Sequence, residues 1–436
     1  TVTGNATRIA VENNTAGQSG GGLLAAGGAT VLASDGASLY VTQNEATKLN
    51  GGGLYLETSS RLTASGIDSQ MMIQNNTAGQ LGGGLFAQAH AGVFVDGSSL
   101  LAIQHNAATL YGGGAYLANN GTTLAVTGNA TRIAVESNTA GHSGAGLFVV
   151  SGADVSISSA AELHIRDNEA TDAFGGGVYL QNGSRLTVSG VGTQVTIDQN
   201  LAGTRGGGLY GNLQSTVLVR DGASLFVIFS IGIMYGGGMA LERNSVLAVT
   251  THGQLIVERN ICGHCLGAGV FISTGSHALV NTGATFLLRN HEGRRGGGMF
   301  LQNEGSTLNV SGNRTRMAVE HNVVGGEGGG IHIVAGSRLF VERGATLEFR
   351  NNTSGKRGGG IYLASGTTTT VTGKFTKLLF DSNTAELGGG GLCFSGATMF
   401  VGEGAVLTMS QNTAKEGGGG GGMEIMGGGS TFTVEG

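Results

Sequence analysis

The chain has 436 residues, 85 of them glycine and none proline or tryptophan, with 12% charged residues and a formal net charge of −5. This balance provides no basic surface for nucleic acid, and the acidic excess is too slight to argue for a metal, a cofactor or a basic partner. The longest apolar run, Leu225 to Tyr235, is about eleven residues, well short of the ~20 that a membrane-spanning helix needs.

From the first residues onward, a glycine triplet returns about every 31 residues, roughly fourteen times. Its first glycines are Gly20, Gly51, Gly82, Gly112, Gly144, Gly175, Gly206, Gly236, Gly267, Gly296, Gly328, Gly358, Gly389 and Gly420. A fixed period over a whole chain is the mark of a solenoid in which each repeat is one turn. Length alone suggests two or three domains, but the unbroken repeat predicts one continuous domain over residues 1–436. No polar cap, initiator Met or leader is visible, so the expectation is a segment of a longer chain, or copies that cap one another.

One repeat, Gly51 to Gly82, shows the plan. Leu54-Tyr55-Leu56, Arg61-Leu62-Thr63-Ala64 and Gln70-Met71-Met72-Ile73 are short alternating runs separated by turn residues. Three short strands per turn predict an all-β fold, a single-stranded parallel β-helix, right-handed by the usual rule for parallel connections. Coils stacked at ~4.8 Å would make a rod of roughly 65 Å. A leucine-rich-repeat horseshoe is set aside because no helical periodicity appears. The inward columns agree from coil to coil: Leu54 and Leu56, Val178 and Leu180, Ile331 and Ile333 on the first strand, with Leu39 and Val41, Ile133 and Val135, Leu347 and Phe349 on the third.

Three residues beyond the last inward position comes an asparagine column: Asn14, Asn44, Asn76, Asn106, Asn138, Asn168, Asn200, Asn260, Asn322, Asn352, Asn383 and Asn412. Ser230 interrupts it, and either Asn290 or His291 fills one further rung. An amide both donates and accepts, so stacked asparagines are expected to form an internal ladder closing a corner; a ligand-binding ladder is the alternative. The middle glycine of the triplet becomes Ala145 and Ala268, whereas the flanking glycines never change. The flanks therefore need φ > 0, or have another backbone pressed against them.

Phe349-Arg350-Asn351-Asn352 and Phe380-Asp381-Ser382-Asn383, followed by GGGIYL and GGGGLCF, resemble the FxxN and GGA(I/L/V) motifs of polymorphic membrane protein repeats. That family comprises surface-exposed autotransported adhesins of chlamydiae. The resemblance extends over nearly the whole chain at repeat level, with GGG in place of GGA and Ile, Val, Leu or Met usually in place of Phe. It implies a surface-exposed parallel β-helix.

Between the inward residues of the first strand lies an outward column that is mostly aromatic: Tyr55, Phe86, Tyr116, Phe148, Tyr179, Tyr210, Phe271, Phe300 and Tyr362. The outward column of the third strand is also largely apolar, with Tyr40, Met72, Phe226, Ile256, Leu287 and Leu379. Two such faces exceed what soluble monomers usually expose. They predict contact with other copies or related repeat chains, with self-stacking of the rings and glycan stacking as alternatives.

Cys262-Gly263-His264-Cys265 spells the dithiol signature CGHC, but it falls in a turn with no thioredoxin-like pattern around it. A local disulfide between Cys262 and Cys265, or a pair of free thiols, is expected; zinc lacks a fourth ligand. Asn5, Asn13, Asn75, Asn120, Asn129, Asn182, Asn309, Asn313 and Asn351 begin N-x-S/T sequons and are candidate glycosylation sites; Asn352 also begins one but belongs to the ladder. Asp35, Asp96, Asp154, Asp221 and Asp381 are scattered, and no carboxylate pair suited to glycoside hydrolysis assembles from the columns. No catalytic or metal residue is assigned. The expected function is an extracellular or cell-surface structural solenoid that assembles into a filament, sheath or coat. An adhesin acting through its aromatic stripe is the alternative, and a polysaccharide lyase or hydrolase a third reading.

Overall fold

The computed structural model describes every residue except His264, Gly417 and Gly418, and no helix occurs among the described residues. The chain forms two compact units, Thr1–Leu218 with Gly222–Phe226, and Val219–Asp221 with Val227–Gly436. Both are built from the same coil.

In the first unit, the strands that follow the triplets (Leu54–Leu56, Leu85–Gln88, Ala115–Ala118, Leu147–Val150, Val178–Gln181 among them) pair in parallel with like beside like. Leu54 stands beside Leu85, and Tyr55 beside Phe86. The second strands, such as Thr30–Ser34, Arg61–Ser65 and Gly92–Val95, form another parallel sheet. The third strands, such as Ser38–Thr42, Gln70–Gln74 and Leu100–Gln104, form a further one. Register is pinned because alternate residues face a dry interior: Leu54, Leu56, Leu62 and Ala64 are fully buried, as are most of their counterparts along each column. A slip by one residue would expose every one of them.

A fourth pairing joins the three expected strands. Two-residue strands such as Thr77–Ala78 and Ala107–Ala108 stack immediately after the ladder asparagine. They are too short for alternation to be read from sequence. The corner between second and third strands is also patterned. Four-residue corners such as Gly66–Ser69 and Gly190–Thr193 alternate with three-residue corners such as Asp35–Ala37 and Ser159–Ala161, which accounts for one of the two residues by which successive ladder spacings alternate, 30 and 32, from Asn14 to Asn200. The hydroxyl that ends each long corner clips two coils together. Thr193 Oγ1 accepts from Ala160 N at 3.0 Å and donates to Ser189 O at 2.9 Å.

In the second unit the same three parallel sheets recur, for example through Ile331–Ile333 with Ile361–Leu363, Arg338–Glu342 with Thr368–Thr372, and Thr346–Arg350 with Lys377–Asp381. Phe349 and Phe380 stack inside at 4.8 Å between centroids.

The two explanations for the invariant flanking glycines apply to different positions. Gly51 has φ +67°, and a Cβ there would come within 2.5 Å of Leu54 O and 3.0 Å of Tyr55 Cβ. At Gly53 the conflict is with the next coil, because a Cβ would lie 2.6 Å from Gly84 O and 2.9 Å from the Asn76 amide. The backbone that presses on the glycines belongs to this chain. The middle glycine is no roomier: a Cβ on Gly52 would meet Thr77 O at 2.3 Å. The two alanines that stand there are buried in local clusters, Ala145 with Ala140 and Ala170, and Ala268 with Cys262 and Cys265.

Candidate functional site

The asparagine column is a hydrogen-bonded ladder in each unit. In the first, Asn44 N and Nδ2 both donate to Asn76 Oδ1 at 3.0 Å, while Asn44 Nδ2 also donates to Val11 O at 2.9 Å. The pattern repeats at Asn76, Asn106 and Asn138. Each buried amide therefore spends its donors and acceptor inside the corner, which leaves no group for an external ligand. In the second unit Asn322, Asn352, Asn383 and Asn412 continue the arrangement. There the shortened coil resolves the open rung in favour of His291. Its Nδ1 accepts from Asn260 N at 3.1 Å and its Nε2 donates to Val257 O at 2.9 Å, reproducing both halves of an asparagine amide. Burial depresses this imidazole to about 4, so it is neutral, with the proton on Nε2.

The aromatic column is not the open face that alternation predicts. Phe86, Phe148, Tyr179, Tyr210, Phe271 and Phe300 are buried, Tyr55 is 9% exposed, and only Tyr116 and Tyr362 are half-buried. The rings cover one another: Tyr55, Phe86, Tyr116 and Phe148 stack at 4.9, 5.2 and 5.0 Å. A second layer also covers them. At three triplets the entering segment lies over the stripe, with the Tyr111 ring 4.9 Å from Phe148, Phe174 4.8 Å from Tyr210, and Tyr235 4.7 Å from Phe271. The left-handed turn at the first glycine makes this possible by bringing the incoming chain onto the base of the ring. Sequence alternation treats a residue opposite the core as solvent-facing and has no means of seeing the overlying loop. Burial pushes the Tyr116 hydroxyl up to about 12.

Towards the end of the second unit the stripe gives way to charge. His332 follows Phe300 at 4.9 Å, its Nδ1 lies 3.3 Å from Glu327 O, and burial lowers it to about 4. Glu327 bridges Arg295 at 2.7 Å and Lys356 at 3.3 Å. Cys393 is buried 3.6 Å from a Glu424 carboxylate oxygen, and burial followed by that carboxylate pushes its thiol up to about 12, the opposite of a reactive cysteine.

Cys262 and Cys265 are joined in a disulfide and fully buried; His264, the remaining polar member of the CGHC motif, lies outside the described residues. Among the described residues no group of three or more His, Cys, Asp or Glu could hold a metal ion. Of the sequon asparagines, Asn5, Asn13, Asn75, Asn120, Asn129, Asn182, Asn313 and Asn351 are exposed, Asn309 is half-buried, and Asn352 is sealed in the ladder. Two of these sequons have a second, structural meaning. Thr131 and Thr315 accept from the neighbouring corners' Ser98 N and Gly283 N, each at 3.0 Å, as the hydroxyls that clip long corners. The third-strand outer residues Tyr40, Met72, Phe226, Ile256, Leu287 and Leu379 are all half-buried.

The family model described as right handed beta helix region matches residues 2–191. The Chlamydia polymorphic membrane protein repeat matches residues 346–364, the stretch whose motifs carry the resemblance. No curated protein matches the chain. Among solved structures, one titled as a TibC-catalyzed hyper-glycosylated TibA55-350 fragment is similar at 15% identity with a TM-score of 0.32, over 98% of this chain and 99% of that one. Among the described residues no helix is long and apolar enough to cross a membrane.

Proposed function

We propose that the chain is an extracellular, surface-exposed β-helix of adhesin type, whose work is done by its outer faces and corners and which carries out no reaction. The observation that carries this reading is what the polymorphic membrane protein repeat means in three dimensions. Within residues 346–364, Phe349 enters the core, Asn352 enters the amide ladder, Gly358 makes the turn with φ +68°, and Ile361 returns to the core. The other coils place equivalent residues in the same roles, so the motif describes the interior of the whole repeat series and leaves the outer positions free to vary. The buried Cys262–Cys265 disulfide supports folding in an oxidising compartment. Antibodies raised against the chain test the reading on cells of its source. Labelling of intact cells, removed by brief protease treatment, is expected. Labelling only after permeabilisation would overturn it.

Assembly into a filament, sheath or coat is a second reading, favoured by the half-buried apolar outer columns rather than by the aromatic stripe. Ile256, Leu287 and Leu379 on the third strand, with Leu279, Phe340 and Phe400 on the second, supply apolar outer surface in the second unit. Sedimentation of the purified chain checks this: concentration-dependent association abolished by Leu287→Lys and Phe340→Lys is the expected result, and a monomer at all concentrations would sink it.

A further inference from the structure

The corner after the ladder is polar in most coils, with residues such as Thr77, Thr139 and Glu169 exposed. In the second unit Val323 is an exposed exception, and at one place several apolar residues gather. Phe229 is 45% exposed, Ile231 41%, Ile233 56%, Met234 49% and Ile261 50%, and Ile231 and Ile261 are bridged directly to each other. Beside them opens a cleft of about 380 Å³ lined by Ile233, Met234, Tyr235, Leu266, Arg294 and Arg295.

The corner is built to hold this shape. The short corner strands from Glu292–Gly293 onward form one sheet, but Ile261 joins its neighbours only through single bridges to Ile231 and Glu292. The Cys262–Cys265 disulfide stands directly after it in place of a two-residue strand. The apolar surface thus stands where the corner pairs through single bridges and a disulfide.

Charge and area narrow down what it takes. Glu327 neutralises Arg295 at 2.7 Å, and Glu258 takes Arg289 at 2.7 Å. Arg259 lies over the Phe229 ring at 5.5 Å, which leaves that face unavailable to a sugar. Arg294 is exposed on the cleft wall and makes no ion pair among the described residues, and Glu292, two residues before it, is not among the residues that line the cleft. The five apolar side chains, each about half exposed, offer on the order of 400 Å², roughly half of the ~800 Å² per partner that a stable dimer buries.

The geometry points to a docking cleft for an extended peptide segment of another protein, in which an aliphatic or aromatic side chain enters between Ile233, Met234 and Leu266 and a neighbouring Asp or Glu pairs with Arg294. The site stands whether or not the chain is displayed on a cell. With so small an area, a dissociation constant on the order of 10–100 μM is expected.

A random ten-residue phage-displayed library, selected on the whole chain, provides the test. Wild type is expected to enrich peptides that place an acidic residue next to a large apolar one. A synthetic peptide from the enriched set should lose at least tenfold in affinity on Arg294→Glu and on Met234→Asp, and Arg294→Glu should bind the version with Lys in place of the acids better than wild type does. Far-UV circular dichroism and hydrogen exchange of the second unit control for folding. No enrichment over the Met234→Asp chain would overturn the proposal, as would enriched peptides without acids. Wild-type dimerisation, or binding to phosphatidylcholine vesicles, abolished by Ile233→Ser would replace the peptide with a second copy or a membrane.

Discussion

Asn106 illustrates how much one side chain decides in this fold. Its Oδ1 receives both Asn76 N and Asn76 Nδ2 at 3.0 Å, and its Nδ2 reaches Ile73 O at 2.9 Å. Asn106→Ala therefore strands two donors and one acceptor in a dry corner. At 1–3 kcal/mol for each unsatisfied buried group, a loss on the order of 3 kcal/mol is expected. Hydrogen exchange at Asn76 and Thr77 should accelerate more than a hundredfold, and unchanged protection would contradict the ladder. His291 is the informative exception. Neutral, it copies the amide; protonated, its Nδ1 would turn a proton towards Asn260 N. His291→Asn is expected to leave stability near pH 7.5 almost unchanged and to raise it at pH 5, as read by denaturant midpoints at the two values.

At the level of the element, the triplet, the loop that enters it and the aromatic strand that leaves it form one device. The first glycine turns the chain, the incoming loop lies over the ring, and the third glycine lets the next coil approach. A Cβ on Gly177 would lie 2.6 Å from Gly208 O and 3.0 Å from Asn200 Cγ. Gly177→Val is therefore expected to destabilise its own and the adjoining coil, by about 1–3 kcal/mol from overpacking alone, with loss of β-signal in circular dichroism. Had the glycine strip faced another chain, the same variant would keep its β-signal and lose only association. The patterned corners belong to this scale too. Ser69, Thr131, Thr193, Thr315 and Thr376 each accept from a backbone N–H of the adjoining coil's corner, so these corner hydroxyls are structural.

At the level of the whole molecule, the two units are expected to differ in acid. His291 and His332 both lie in the second unit, and burial depresses both to about 4 from 6.5. Below pH 6.5 the unfolded chain takes up these protons while the folded chain does not. The stability they represent is thus present in full above about pH 6.5 and is lost as pH falls towards 4, at most roughly 3 kcal/mol for each. Glu327, lowered against its own burial by Arg295 and Lys356, acts in the same direction at lower pH; Asp198 in the first unit is raised by burial and acts in the opposite one. Hydrogen exchange at pH 5 should show the second unit opening before the first, and His291→Asn combined with His332→Phe should remove the difference. Equal protection in both units of the wild type would count against it.

The sequence by itself determined the repeat, the parallel coil, the inward columns and the amide ladder. These rest on period and alternation, which stacking at one fixed spacing converts directly into contacts between residues such as Leu54 and Leu85 or Asn76 and Asn106. Only the tertiary structure decided what covers the outside. Much of the aromatic stripe is buried by its own stacking and, at Phe148, Tyr179, Tyr210 and Phe271, because Tyr111, Phe174 and Tyr235 return over it from a loop without periodicity. The glycines are crowded by the chain's own next coil, His291 rather than Asn290 fills the open rung, and five apolar residues gather at one corner. The covering of the stripe and the apolar corner depend on where irregular segments travel in space, and no alternation along the chain encodes that path.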